Sequence, residues 1–217
     1  MEHFDAIAAQ RLALADVLDG LDADQWATTS LCDGWTVQHV VGHLLVPFEV
    51  PTRRVALEML RAGGRFSKAN STLAERAAAA APPSELVARL RAHADDRFTP
   101  PALGSDASLT DLYVHTYDIC LPLGVVPPGD SAQWPVVLQF LTSRKARIGF
   151  LRHRVPEVSL VATDVEWSSG DGPRVSGPAA ALSLTLLGRN ALLDQLEGPG
   201  LTTLTSTVLD SGSGRGS

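Results

Sequence analysis

Apolar positions fall at helical intervals over most of the chain. Between Glu2 and Leu21, Phe4, Ile7, Leu14, Leu18 and Leu21 recur at spacings of a helical face, and Gly20 stands where such a helix would end. The segment Ser30-Leu-Cys-Asp-Gly34 is rich in turn formers, and the Thr36 hydroxyl is placed to cap a second helix. On that helix Val37, Val40, Val41, Leu44, Leu45 and Phe48 share one side of a wheel and form a buried stripe. Pro47 lacks an N–H, so the His43 carbonyl loses its helical partner and the helix kinks or tightens there. Gly63-Gly64 reads as a break. Thr72-Leu-Ala-Glu75 has capping-box spacing before an alanine run that stops at Pro82-Pro83. Ser84 is placed to cap a helix reaching about Phe98. Ser108-Leu-Thr-Asp111 repeats the capping-box spacing and opens a helix that ends near Pro122 or Gly124. A further helix is expected from about Ser131 to Arg152.

Beyond Val155 the pattern changes. Val158, Leu160 and Val161 form a β-prone run, the turn-rich stretch from Ser168 to Pro173 follows Trp167, and Val175 lies beyond it, which together read as a hairpin. Gly177-Pro178 opens an apolar helix through Leu187 with Gly188 at its end, and Leu201 to Val208 reads as a last strand. The expected organisation is a mainly helical domain over 1–154, a small α/β module over 155–210 and a disordered tail over 211–217.

Composition narrows the function. Within 217 residues, 45% are hydrophobic and 19% charged, the balance of a globular protein with a full core. A net charge of −6 argues against a phosphate-backbone binder, so no nucleic-acid partner is expected. No apolar run approaches the roughly 20 residues that span a bilayer, and the start lacks a basic-then-apolar pattern; no membrane association and a cytoplasmic location are expected. Cys32 and Cys120 lie far apart without a CxxC, so any metal needs other ligands. GxGxxG, P-loop and GxSxG patterns are lacking, which removes the dinucleotide, nucleotide and α/β-hydrolase readings.

Asp111 and His115 stand four apart on one predicted helix, so their side chains project from one face about 6 Å apart, the geometry of a helical metal clip. Asp118 shares that face and could ligate or orient a liganding imidazole. The competing explanation is structural: Asp111 occupies the acidic position of the capping box read at Ser108. His43 lies about 60° outside its helix's apolar stripe, on a flank that borders either solvent or a cleft. His39 points further out, while His3, His93 and His153 have no partner at ligand spacing and read as surface. Cys32 has no histidine or lysine beside it in sequence and reads, like Cys120, as packing.

Taken together, Cys32-Asp-Gly-Trp-Thr-Val37, Val41-Gly-His43-Leu44 and Val114-His115-Thr-Tyr-Asp118-Ile119 with Leu123-Gly124 resemble the mycothiol-dependent maleylpyruvate isomerase family of the DinB/YfiT-like superfamily. Ala162-Thr-Asp164, Trp167, Gly170-Asp-Gly-Pro173, Val175-Ser-Gly-Pro178 and Leu187-Gly-Arg189 extend the likeness into that family's C-terminal module. The resemblance implies a DinB-like four-helix bundle followed by a small α/β domain. It also implies a divalent metal, typically zinc, held by His43, Asp111 and His115, with Asp111 standing where the family has glutamate. Asp118 is then the outer partner of a liganding imidazole. Arg189 matches a family arginine and is the candidate catalytic and cofactor-binding fork for a carboxylate, although a helix-terminal arginine complementing the dipole is an equal reading. Trp35 and Tyr113 are candidate walls of the cofactor cleft, and core packing would also account for both.

Two histidines and a carboxylate leave zinc one open position, where a low-molecular-weight thiol is deprotonated and made nucleophilic. The family precedent is reversible addition of mycothiol to a cis-enedioate, rotation and expulsion. With 16 arginines to 2 lysines, the chain has the bias of a GC-rich genome, in keeping with a mycothiol-producing source. The expected partners are a small electrophilic substrate and this thiol, in isomerisation or thiol transfer. Two alternatives stay open: a hydrolase acting through zinc-bound water, and a non-catalytic small-molecule binder whose metal site is weakened at Asp111.

Overall fold

The helical periodicity of the first half is realised as seven α-helices in a computed structural model that describes residues 2–151 and 153–209. They are α1 (Phe4–Asp19), α2 (Ala23–Ala27), α3 (Val37–Glu49), α4 (Thr52–Arg61), α5 (Phe66–Ala79), α6 (Pro83–Ala92) and α7 (Ser105–Cys120). The predicted stripe buries Val37, Val40, Val41, Leu44 and Leu45 on α3. Together α1, α3, α6 and α7 surround a core containing Ile7, Leu14, Leu45, Leu86, Leu90 and Leu109, and α5 lies along α3. Gly42 allows that approach, because a Cβ there would stand 2.5 Å from the Ala74 carbonyl oxygen and 2.6 Å from the Ala78 nitrogen, both on α5. The Thr36 hydroxyl accepts from the His39 N–H as expected. The His39 ring closes a reciprocal box by accepting the Thr36 N–H at 3.1 Å, a place usually taken by Glu or Gln. His39 is therefore half-buried at the helix start and is not a free surface residue.

The chain divides into two compact units, Met1–Gly129 and Asp130–Ser217. In the second, α8 (Trp134–Thr142) stands between 3₁₀ turns at Ser131–Gln133 and Arg144–Arg147. Then follow β1 (Ser159–Ala162), β2 (Ser168–Ser169), β3 (Arg174–Gly177), α9 (Ala179–Leu186), a 3₁₀ turn at Leu193–Gln195 and α10 (Leu201–Leu209). The sheet runs in the order β2-β1-β3, and α8 and α10 pack against α9. The architecture is thus mainly α with a small sheet in the C-terminal part. The helix expected over 131–152 and assigned to the first domain is shorter: α8 ends where Ser143 turns extended, and it packs within the second unit.

Several local expectations are corrected. Leu160 pairs antiparallel with Ser169 but parallel with Val175, so the strands before and after the 168–173 turn do not form a hairpin. The last expected strand is the helix α10. Its Thr and Val residues suggested a strand, but Leu204 and Val208 are four apart, on one helical face, and both are buried. Proline begins α6, with no side-chain cap from Ser84. Thr72 lies inside α5, its hydroxyl donating to the Lys68 carbonyl, so it caps nothing. The expected disordered tail, 211–217, lies outside the described residues. Among those described, no helix is long and apolar enough to cross a membrane.

Candidate metal centre

Asp111 and His115 sit on α7, one turn apart. The helix begins at Ser105, after Gly104 at φ +79°, and the Ser108 hydroxyl donates instead to the Phe98 carbonyl at 3.0 Å. Asp111 therefore belongs to no capping box, so helix capping does not account for the acid at this position. Opposite α7, α3 presents His43. Its Nε2 lies 3.5 Å from one oxygen of Asp111, and His115 Nε2 lies 3.5 Å from the other. The two rings meet edge to face with centroids 4.9 Å apart. The three donor groups fall within 4.8 Å of one another.

Those 3.5 Å spacings exceed the hydrogen-bond optimum of about 2.9–3.0 Å. Each is comparable with one edge of a coordination tetrahedron, since bonds of about 2.0–2.2 Å separate neighbouring donors by roughly 3.3–3.6 Å, and the two spacings end on different oxygens of the one carboxylate. The shorter carboxylate of Asp111 reaches both imidazoles, and the residues present fit a small divalent cation. Without the ion, burial pushes the Asp111 carboxyl upward, but the fields of His115 and His43 outweigh it and hold Asp111 well below the usual carboxylate range. Burial pulls His115 down, but the charge of Asp111 foremost, together with the hydrogen bond to Asp118, leaves its imidazole well above the usual range. Negative charge on Asp111 and positive charge on His115 are thus favoured together, and a cation entering there would take the place of the imidazole proton.

The outer partners differ between the two histidines. His115 Nδ1 lies 2.9 Å from Oδ2 of Asp118, which is wholly buried, so an Nδ1–H tautomer leaves the Nε2 lone pair facing Asp111 and His43. His43 Nδ1 is buried without a hydrogen-bond partner among the described residues. Its polar contact lies on the Nε2 side. Trp35 is buried, with its ring 5.3 Å from that of His43 and 6.4 Å from that of His115, and so forms a wall of the cluster. Its turn is held by the Ser30 N–H and hydroxyl, which both donate to the Trp35 carbonyl at 2.8 and 2.9 Å, and by Gly34 at φ +75°.

Tyr113 is also buried, but two residues from Asp111 corresponds to about 200° around the helix, away from the Asp111–His115 face. Arg189 lies in the second unit just past α9, where its Nη1 donates to the Leu187 carbonyl at 3.1 Å. Cys120 is buried at the end of α7, its thiol pushed up to about 11 by burial, in keeping with packing. Cys32, expected to pack, lies instead against the cluster: its Sγ is 3.1 Å from Asp118 Oδ2 and 3.6 Å from His115 Nδ1. No local pattern could have found that contact, because these partners are more than eighty residues away in the chain.

Comparison with known proteins agrees with this reading of the fold. Residues 7–109 match the family model described as the mycothiol maleylpyruvate isomerase N-terminal domain, in agreement with the resemblance read from the sequence over that part of the chain. The match includes His43 and stops just before Asp111 and His115. No curated protein sequence matches the chain significantly. Among solved structures, the mycothiol-dependent maleylpyruvate isomerase aligns with a TM-score of 0.50 at 17% identity, over 92% of this chain and 95% of that one. A mutant of that isomerase aligns at 0.49 and 16% identity over the same shares. At such identities the likeness concerns the fold.

Proposed function

We propose that this chain, carrying a mycothiol maleylpyruvate isomerase N-terminal domain at residues 7–109, is a metal-dependent enzyme that works with an exogenous thiol of the mycothiol type. It acts on a small electrophilic substrate by isomerisation or thiol transfer. The observation that carries this reading is that Nε2 of His43 and Nε2 of His115 each lie 3.5 Å from a different oxygen of the same carboxylate, Asp111. Two imidazoles and one oxygen of that carboxylate make three donors, which suits zinc with one position left open. When bound, such an ion supplies Lewis acidity that lowers the pKa of a thiol presented at the open position.

The chain's own groups have separate tasks. His43, Asp111 and His115 hold the ion, and Asp118 keeps the proton on His115 Nδ1, so that Nε2 remains an acceptor. Trp35 covers the two imidazoles and keeps water from that side. Neither cysteine is needed as the nucleophile, since the thiol comes from outside.

Metal analysis of the purified protein should find one divalent ion per chain. Turnover of an activated cis-enedioate should require both that ion and mycothiol. Turnover unchanged by the thiol would discard isomerisation and transfer in favour of hydrolysis, and a protein that binds no ion would leave only a small-molecule-binding role.

A further inference from the structure

His115 belongs to two clusters, and donor spacing separates them. On its Nε2 side the distances to Asp111 and from Asp111 to His43 are 3.5 Å. On its Nδ1 side, Asp118 Oδ2 lies 2.9 Å from the ring nitrogen and 3.1 Å from Cys32 Sγ. The first set has the span of donors around an ion. The second has the span of hydrogen bonds, and 3.1 Å is short for a sulfur donor, as expected when the acceptor is a carboxylate.

We propose that Cys32 is a positioning residue for the metal centre inferred above: its S–H donates to Asp118 Oδ2, and through Asp118 it fixes the tautomer and ring orientation of His115. The inference rests on the metal-centre reading. Asp118 is wholly buried, and a buried carboxylate needs donors on its oxygens. Cys32 supplies one that does not compete for the metal, because its thiol lies on the far side of the imidazole from Nε2.

The backbone delivers that thiol independently of the side-chain bond. The Leu31 N–H donates to the Asp118 carbonyl at 3.1 Å, and the Trp35 N–H to the Cys32 carbonyl at 3.0 Å. The Cys32 N–H donates to the Ser30 hydroxyl at 3.1 Å. One turn therefore grips Asp118 by both its carbonyl and its carboxylate while setting Trp35 over the histidines. This gives a physical reason for a cysteine and a tryptophan three residues apart: one orients a ligand and the other shelters it.

The test uses metal-free full-length protein as wild type, Cys32→Val and Cys32→Ser, titrated with Zn(II) against a chromophoric chelator. Valine occupies the thiol's space without a donor, and serine keeps one. The Val variant should bind Zn(II) about tenfold more weakly, at the low end of the roughly 10–100-fold attributed to outer partners, while Ser stays within about threefold of wild type. With Co(II) as probe, the visible absorption bands should shift in Val and be restored in Ser, and unfolding of all three metal-free proteins should coincide. Equal affinity in Val and wild type, or a loss shared by Ser, overturns the inference and leaves the metal centre standing. If wild type binds neither ion, the metal-centre reading falls and takes this inference with it. Should Val fail to fold, folded wild type capped at Cys32 with methyl methanethiosulfonate gives the same reading, with the tenfold loss expected and its absence decisive against the proposal.

Discussion

Glu58 on α4 and Asp111 on α7 are both held below the ordinary carboxylate range, by different partners at different distances. Glu58 is almost fully buried and receives Arg61 at 2.8 Å and Arg76 at 2.5 Å, with the hydrogen bond from Arg76 the largest cause of its lowered pKa and that from Arg61 next. Asp111 keeps about a third of its side chain exposed (32%) and faces imidazole nitrogens that stop at 3.5 Å. Arginine does not give up its proton, so the Glu58 cluster is complete as a structural ion pair. Histidine does, and the wider spacing leaves space for what would replace that proton. The type of base around a carboxylate and the distance at which it stops thus separate a structural cluster from a candidate site.

The sharpest way to break this contrast is to remove one partner from each cluster. His43→Ala and His115→Ala should each weaken Zn(II) binding by at least about 100-fold, since each deletes a donor outright, and chelator competition reads this directly. Arg76→Ala should leave the affinity unchanged. Equal losses at both clusters would mean that the ligand assignment is wrong and that metal uptake reports only general unfolding.

A smaller effect separates the clusters by pH. The Glu58 pKa is lowered on folding, so its charge contributes stability that is fully present above the unfolded value of about 4.3 and is lost as pH falls toward the folded value. At pH 7, Glu58→Gln should lower Tm by about 2–4 °C, the shift typical of one substitution in a chain of this length. That difference from wild type should shrink as both are acidified below about pH 4. A difference that persists in acid would assign the loss to packing of the Glu58 side chain, not to its charge.

The sequence revealed these regions unequally, and the reason is physical. The stripe on α3 and the i,i+4 pair on α7 were legible because helical periodicity is local, and both elements carry it. The two capping-box spacings and the β-prone run at Leu201 mislead for the same local reason: short hydroxyl–acid spacings and β-branched residues recur inside helices, where tertiary burial decides. Asp111 is ambiguous in the sequence because Ser108 stands at capping-box spacing from it. The meeting of His43 with Asp111, the docking of Cys32 on Asp118 and the parallel pairing of β1 with β3 depend on chain separations that no window spans. The resemblance to a known family brought His43 and His115 together, and it could not show how a shorter acid reaches both.

That shorter acid gives the finest test, and Asp111→Glu should have the smallest effect. In the present geometry both oxygens of Asp111 already stand 3.5 Å from their imidazoles, so aspartate needs no longer arm to complete the donor set. An added methylene must fold back or push the ion outward by roughly a carbon–carbon bond's reach, which costs side-chain freedom without adding a donor. Zn(II) affinity should therefore stay within about tenfold of wild type, whereas Asp111→Ala should lose about as much as the histidine variants. If glutamate instead raised the affinity well beyond tenfold, Asp111 would be a weakened ligand. The chain would then read as a small-molecule binder that has drifted from a metal-dependent ancestor, and the 3.5 Å spacing would measure a relaxed ion pair between histidines and an acid rather than the outline of a cation.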